Sequence, residues 1–195
     1  MLETNASKAL LRKQYLEKRR AMSSEDWARA SEAICLRFEQ SSLYHDCKTL
    51  LTYVSAKDNE VNTWAIIDDS LQNGIRVIVP VVVAGEKELR WAQIQSRKEL
   101  ACGRFGLLEP DLAQTHFVDV PANALCLTPG IAFTPDGWRI GYGGGYYDRF
   151  LAKFSGISLG LAFEIQMTST LPSDTYDRRV HYVLTEKECY VATPE

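Results

Sequence analysis

Thr128-Pro129-Gly130-Ile131-Ala132-Phe133, then after a turn at Pro135-Asp136-Gly137 the run Arg139-Ile140-Gly141-Tyr142-Gly143-Gly144-Gly145-Tyr146-Tyr147-Asp148-Arg149-Phe150-Leu151, decides the fold. The apolar stretch Ala124 to Leu127 before it reads as a buried strand. Four of the five residues from Gly141 to Gly145 are glycine, and after them Tyr147, Phe150, Leu151 and Phe154 recur at helix spacing. Strand, glycine-rich turn, helix is a layout that takes phosphate. Glycines let the backbone approach an anion closely, and the first N–H groups of a helix are unpaired. Arg139 brings a fixed cation into the loop. Asp148 brings a carboxylate suited to a magnesium ion carried on phosphates. The alternative is a loop that needs glycine for shape alone. The run is not a Walker A loop, since Lys-Ser/Thr does not follow the last glycine, nor a typical dinucleotide fingerprint, since no acidic residue ends a following strand at the expected distance.

Working outward, apolar runs at Leu50–Val54, Ile75–Val79, Ala124–Leu127, Ile157–Phe163 and Val180–Thr185 read as strands, with a further one at Cys189–Ala192. Leu89–Ile94 pairs back as a hairpin past Gly85, with Trp91 on one face. Residues 97–106 read as a loop with a helical turn, closed by Leu107-Leu108-Glu109-Pro110. Helices are expected from Lys8 to Arg20 after a Ser7 cap, from Ser24 to Gln40 after a Ser23/Asp26 capping box, and from Trp64 to Gln72 after a Thr63 cap. Strands alternating with helices predict one α/β domain over residues 1–195, three layers α/β/α around a mixed, mostly parallel sheet. Ligands in such a sheet bind beyond the carboxyl ends of the strands. The polar loops 55–62, 128–145 and 164–170 are therefore expected around one cleft, with the basic N-terminal helix closing over it. Lys8 and Arg12 lie one turn apart on that helix. They read either as a solvated basic face or as a pair of cations suited to a triphosphate.

Composition narrows the function. A net charge of −3 argues against a nucleic-acid partner. The five cysteines are widely spaced and contain no C-x-x-C, and His45, His116 and His181 have no metal-ligand spacing. Neither a zinc site nor a disulfide framework is expected, and a reducing cytoplasm is the natural home. The polar start Met1-Leu2-Glu3-Thr4-Asn5 and the lack of a long apolar run predict no secretory leader and no membrane span.

The glycine-rich run closely resembles the signature of the 5-formyltetrahydrofolate cyclo-ligases, also called methenyltetrahydrofolate synthetases. Three more segments resemble that family in the right order: Lys8-Ala9-Leu10-Leu11-Arg12, Glu60-Val61-Asn62-Thr63, and Phe105-Gly106-Leu107-Leu108-Glu109-Pro110. The resemblance implies ATP- and magnesium-dependent closure of 5-formyltetrahydrofolate to 5,10-methenyltetrahydrofolate, with release of ADP and phosphate. It implies ATP contacts from Lys8, Arg12 and Arg139 and from the loop Gly141, Tyr142, Gly143, Gly144, Gly145, Tyr146 and Tyr147. Asp148 is implied for the metal and Glu60 for the pterin. Ser55 or Val54 is implied to line the folate pocket, Trp91 to sit at an apolar pocket position, and Tyr146 to enclose the formyl group. Arg139 and Tyr146 are the implied catalytic residues, and a monomer acting on small molecules is expected. One departure stands out: His181 occupies the position where the family commonly shows a second Asp, four residues after Asp177. An imidazole is a poor magnesium ligand, so His181 is not assigned to the metal. Two other readings are a folate- or nucleotide-binding regulator without turnover and a sugar-phosphate-binding α/β enzyme.

Overall fold

The computed structural model describes residues 2–103, 106, 108–111 and 115–192. Residues 104, 105 and 107, within the expected loop and the 105–110 segment, lie outside them. The helices are α1 (Leu2–Arg20), α2 (Ser24–Glu39), α3 (Ser42–His45), α4 (Trp64–Gln72) and α5 (Tyr146–Leu151). The strands are β1 (Thr49–Thr52), β2 (Arg76–Val81), β3 (Arg90–Ile94), β4 (Leu100–Cys102), β5 (Leu108–Pro110), β6 (Leu125–Thr128), β7 (Ala132–Phe133), β8 (Arg139–Ile140), β9 (Ile157–Leu161), β10 (Tyr182–Leu184) and β11 (Cys189–Val191).

Seven strands form the central sheet in the order β11-β10-β9-β6-β1-β2-β3. The five inner strands are parallel, and antiparallel β3 and β11 close the two edges. The sheet is therefore mixed and mostly parallel. Parallel strands are buried on both faces, which is why every residue of β1 and β6 is buried, with apolar Leu50-Leu51 and Leu125-Cys126-Leu127 at their centres. Leu50, Leu127 and Leu159 face α2 and α4, packing with Ile34, Phe38 and Ile66. Leu51, Ile78 and Cys126 face the other way, against Tyr147 and Phe150 of α5 and Phe154 beyond it. The sheet is thus the middle layer between helices.

Several local expectations change. Nothing in Leu2–Ala6 breaks a helix, so α1 begins at Leu2 and Ser7 lies inside it. Ser23 caps α2, its hydroxyl accepting from the Asp26 amide at 3.0 Å. Thr63 does not cap α4. Its hydroxyl donates to the Tyr53 carbonyl at 2.9 Å, and Asn62 Oδ1 instead accepts the Trp64 amide at 3.0 Å. Pro80 does not end β2, because pairing with β1 stops at Ile78 and only β3 runs beside it. Residues expected as loop form two small ribbons, β4–β5 and β7–β8.

The β7–β8 ribbon turns at Gly137, whose φ is +88° and whose amide donates to the Thr134 carbonyl at 3.0 Å. A Cβ on Gly137 would overlap the Val180 carbonyl oxygen. Gly137→Ala should lower stability by about 2 kcal/mol or more, from the left-handed backbone and the overlap together. Urea denaturation of the two proteins measures it, and an unchanged midpoint would contradict the reading.

Candidate active site

The chain reverses direction across the sheet between β1 and β6. From β1 it winds through α4 to β2, and it returns to β6 on the other side of β1. The loops leaving β1 and β6 therefore splay apart at their carboxyl ends and leave a crevice. A cleft of about 720 Å³ lies there. Tyr53 and Val54 at the end of β1 and Pro129 after β6 form its floor, and the glycine loop and α1 form its walls.

Helix α1 lies across this end because Leu11, Tyr15 and Leu16 pack on Ile131 and Ala132. That stripe points the Lys8 and Arg12 side chains into the cleft. Arg12 Nε donates to the Gly141 carbonyl at 2.8 Å. Lys8 Nζ lies 2.7 Å from Asp174 and 2.5 Å from Asp177. Burial alone would lower the Lys8 pKa, but the hydrogen bonds to both aspartates outweigh it and hold the ammonium above its usual value. The same bond from Lys8 holds Asp174 below its usual value.

Opposite them, Arg139 is almost wholly buried and its NH2 donates to Asp148 Oδ1 at 2.9 Å. The Arg178 amide donates to the same oxygen at 3.3 Å. Two buried polar atoms on this wall have no hydrogen-bond partner among the described residues: Arg139 Nε and the Tyr147 hydroxyl. Buried donors of this kind are costly unless a ligand or water meets them. Gly143 takes φ +101°, which favours glycine at the tip of the loop. Tyr146 stands on the cleft wall beneath the Arg149 guanidinium, 5.1 Å from its ring centroid. Helix α5 has only six residues, so loop amides and side-chain cations, more than a helix dipole, make this end attractive to anions.

At the other end of the cleft Glu60 is buried, with 7% of its surface exposed. Its Oε1 accepts from the Tyr142 hydroxyl at 3.1 Å and its Oε2 from the Ala56 amide at 3.3 Å. Burial pushes Glu60 above the usual carboxylate range, opposed by the charge of Arg19 and by these two donors. The loop that carries Glu60 bends through left-handed Asp58 and Asn59, with φ of 55° and 51°. Arg19 and Arg20 hold that bend, donating to the Asp58 carbonyl and carboxylate, each at 2.7 Å.

Arg19 escapes the sequence reading. It is 2% exposed and also donates to the Gly130 carbonyl at 3.0 Å and the Tyr142 hydroxyl at 2.5 Å. A signal was present: Leu11, Tyr15 and Arg19 fall at i, i+4 and i+8, so Arg19 continues the apolar stripe that α1 buries.

The structure brings Lys8, Arg12, Glu60, Arg139, Tyr146, Tyr147, Asp148 and the glycine loop to one cleft. It does not bring Trp91 or Ser55 there. Trp91 is in the core beneath α5, its ring 4.6 Å from Phe150 and edge-on to Tyr147 at 6.4 Å. As a β3 residue facing the α5 layer it is covered by that helix. Ser55 is spent on reciprocal 3.1 Å bonds with Thr63, and Val54 lines the cleft in its place. His181 sits outside the cleft, its Nδ1 accepting from the Ser158 amide at 3.0 Å.

No group of three or more His, Cys, Asp or Glu suited to a metal occurs among the described residues. Asp148 alone, already bonded to Arg139, does not make a self-sufficient metal centre. It does suit magnesium, which keeps most of its waters and binds through one or two carboxylates plus substrate phosphates. Nor is any helix among the described residues long and apolar enough to cross a membrane.

Comparison with known proteins identifies the family. The profile described as the 5-formyltetrahydrofolate cyclo-ligase family matches residues 4–186. A 5-formyltetrahydrofolate cyclo-ligase of Mycolicibacterium smegmatis is 30% identical over 95% of this chain and 97% of its own. The mouse 5-formyltetrahydrofolate cyclo-ligase is 27% identical over 93% and 95%. The structure of Aquifex aeolicus 5,10-methenyltetrahydrofolate synthetase superposes with a TM-score of 0.83 at 29% identity, covering 96% of this chain and 94% of that one. With its signature loop at the sheet's switch point and this match over most of its length, the chain belongs to the 5-formyltetrahydrofolate cyclo-ligase family.

Proposed function

We propose that this chain closes 5-formyltetrahydrofolate to 5,10-methenyltetrahydrofolate, using magnesium-ATP and releasing ADP and phosphate. The observation that carries the reading is one cleft with a buried carboxylate at one end and a cationic, glycine-lined wall at the other, in a chain of this family. Glu60 accepts hydrogen bonds from the donor edge of the pterin. The loop amides, Lys8, Arg12 and Arg139 receive the triphosphate, and the unpaired Arg139 Nε and Tyr147 hydroxyl gain partners on binding. Tyr146 borders the space between the two ends.

The chemistry needs this division. The N5-formyl group is an amide whose oxygen is a poor leaving group. Its oxygen attacks the γ-phosphorus, the bond to the bridging oxygen breaks, and ADP departs. N10 then attacks the formyl carbon, N10 gives up its proton, and the C–O bond breaks to release phosphate. Phosphoryl transfer asks the protein for alignment and charge neutralisation more than for covalent help. Magnesium, when bound with ATP at Asp148, supplies part of that neutralisation. Arg139 supplies another part from a fixed position, because burial and its bond to Asp148 hold it still. Lys8 adds charge once a phosphate replaces one of its two aspartates.

Mixing the protein with magnesium-ATP and 5-formyltetrahydrofolate should produce the near-ultraviolet band of the methenyl product. Asp148→Ala should lower that rate by about 100-fold or more. A flat trace with both ligands bound would favour a regulator, and one with neither bound would favour a different phosphate ligand. Glu60→Gln should raise the KM for the folate by about tenfold and leave that for ATP nearly unchanged. The pterin role fails if the folate KM stays put. Lys8→Ala combined with Arg12→Ala should raise the ATP KM. An unaltered ATP KM would return those cations to a solvated face.

A further inference from the structure

We propose that Arg19 is a positioning residue for folate recognition, acting through the Tyr142 hydroxyl to hold the Glu60 carboxylate ionised and correctly aimed. This deepens the reading of Glu60 as the pterin acceptor and rests on it.

The direction of the hydrogen bonds follows from proton counting. A guanidinium only donates. The Tyr142 oxygen, 2.5 Å from Arg19 NH2, must therefore accept there. Its single proton is left for Glu60 Oε1 at 3.1 Å. Tyr142 cannot turn away without leaving a buried cation short of an acceptor. Burial, followed by the nearby Glu60 charge, pushes its phenol well above the usual tyrosine value, so it remains a donor at every working pH. Arg19 itself cannot swing, since its other nitrogens are fixed on the Asp58 and Gly130 carbonyls. The chain Arg19–Tyr142–Glu60 thus has one polarity and one geometry.

Its consequence is the charge state of Glu60. A buried carboxyl tends to the neutral form, which would point a proton at the pterin's own donors. Several groups face Glu60. Arg19 comes from α1, Tyr53 from the end of β1, Tyr142 from the glycine loop and Tyr147 from α5, and Lys57 and the Ala56 amide lie on its own loop. Arg19 is the strongest of those that favour ionisation. The protein donors to Glu60 are the Tyr142 hydroxyl on Oε1, the Ala56 amide on Oε2 and the Lys57 amide, and the two carboxylate oxygens together have lone pairs beyond these for a ligand.

Arg19 also ties three segments together, so a purely structural role is the rival. Tyr142→Phe separates the two, because it deletes one hydroxyl from a ring that is 40% exposed and leaves the Arg19 carbonyl bonds in place. Binding of 5-formyltetrahydrofolate, and separately of ATP, is measured by calorimetry in the wild type, Tyr142→Phe, Arg19→Gln, Glu60→Gln and Tyr142→Phe/Glu60→Gln. Tyr142→Phe should weaken folate about tenfold near neutral pH with ATP within about twofold. The pH below which folate affinity falls should move upward, since loss of the donor raises Glu60 further. In the Glu60→Gln background the second substitution should cost nothing more. Arg19→Gln should move folate affinity and the pH limb the same way. If Tyr142→Phe leaves both unchanged while Glu60→Gln weakens folate, the relay is wrong and the pterin role stands. Equal losses for folate and ATP would also overturn it, in favour of a staple. If Glu60→Gln itself has no effect, the pterin reading has failed and the relay falls with it.

Discussion

The interaction on which the site depends is the buried guanidinium of Arg19. A charge taken out of water is tolerated only where its donors are met. Here the donors are met by groups from three separate segments: the Asp58 carbonyl, the Gly130 carbonyl and the Tyr142 hydroxyl. The Gly130 carbonyl also accepts from the buried Gln166 side chain at 3.0 Å. Removing any one segment would leave a charge or a carbonyl unsatisfied. The loops after β1 and β6 and the glycine loop thus meet at one side chain, which enters from a helix outside the sheet.

That cation has a task because of the sheet's topology. A parallel sheet gathers the carboxyl ends of its strands on one edge, and the reversal between β1 and β6 opens a gap there. The same topology fills the layers above and below with apolar side chains, and core packing holds the loops at the gap only at points such as Val54, Val61 and Ile131. Polar stitching holds the rest. Asn59 Nδ2 reaches the Arg19 carbonyl, Arg12 reaches the Gly141 carbonyl, and Arg149 reaches the Gly144 carbonyl. The backbone of the loops, rather than their side chains, is what is being fixed.

How far the sequence discloses this varies with the kind of force involved. The parallel strands were readable, because burial on both faces leaves unbroken apolar runs such as Leu125–Leu127. The glycine loop and its flanking Arg139 and Asp148 were readable, because close backbone approach restricts residue type. Short ribbons such as β7–β8 were not, since two paired residues leave no periodicity. The Thr63 cap failed because the cap and the buried bond to Tyr53 compete for one hydroxyl, a tertiary contest that local pattern does not record. Trp91 failed for a related reason: an apolar residue beside a site and one beneath it share the same pattern, and only the position of α5 separates them. Arg19 was hidden by its type, since a basic residue in a basic run at a helix end reads as solvated.

The phosphate end raises a question of charge that the family signature does not answer. Lys8 is held by two carboxylates at once, so in the free protein its charge is more than balanced. Arg139 is likewise balanced by Asp148. The wall keeps a surplus of cations, because Arg12, Arg149 and Arg178 are bonded to backbone carbonyls, but bare ATP would also meet the three aspartates that pair with Lys8 and Arg139. On the proposed reading, magnesium bound with the nucleotide at Asp148 would supply positive charge to that carboxylate, and Lys8 and Arg139 would be left to pair with phosphate. His181, bonded to Ser158 on the edge strand side, takes no part in that exchange. Asp174 and Asp177, both on the cleft wall, face Lys8 without it. The Lys8–Asp174/Asp177 and Arg139–Asp148 pairs thus set opposite charges in register along the wall, where a metal-bound nucleotide would present both signs.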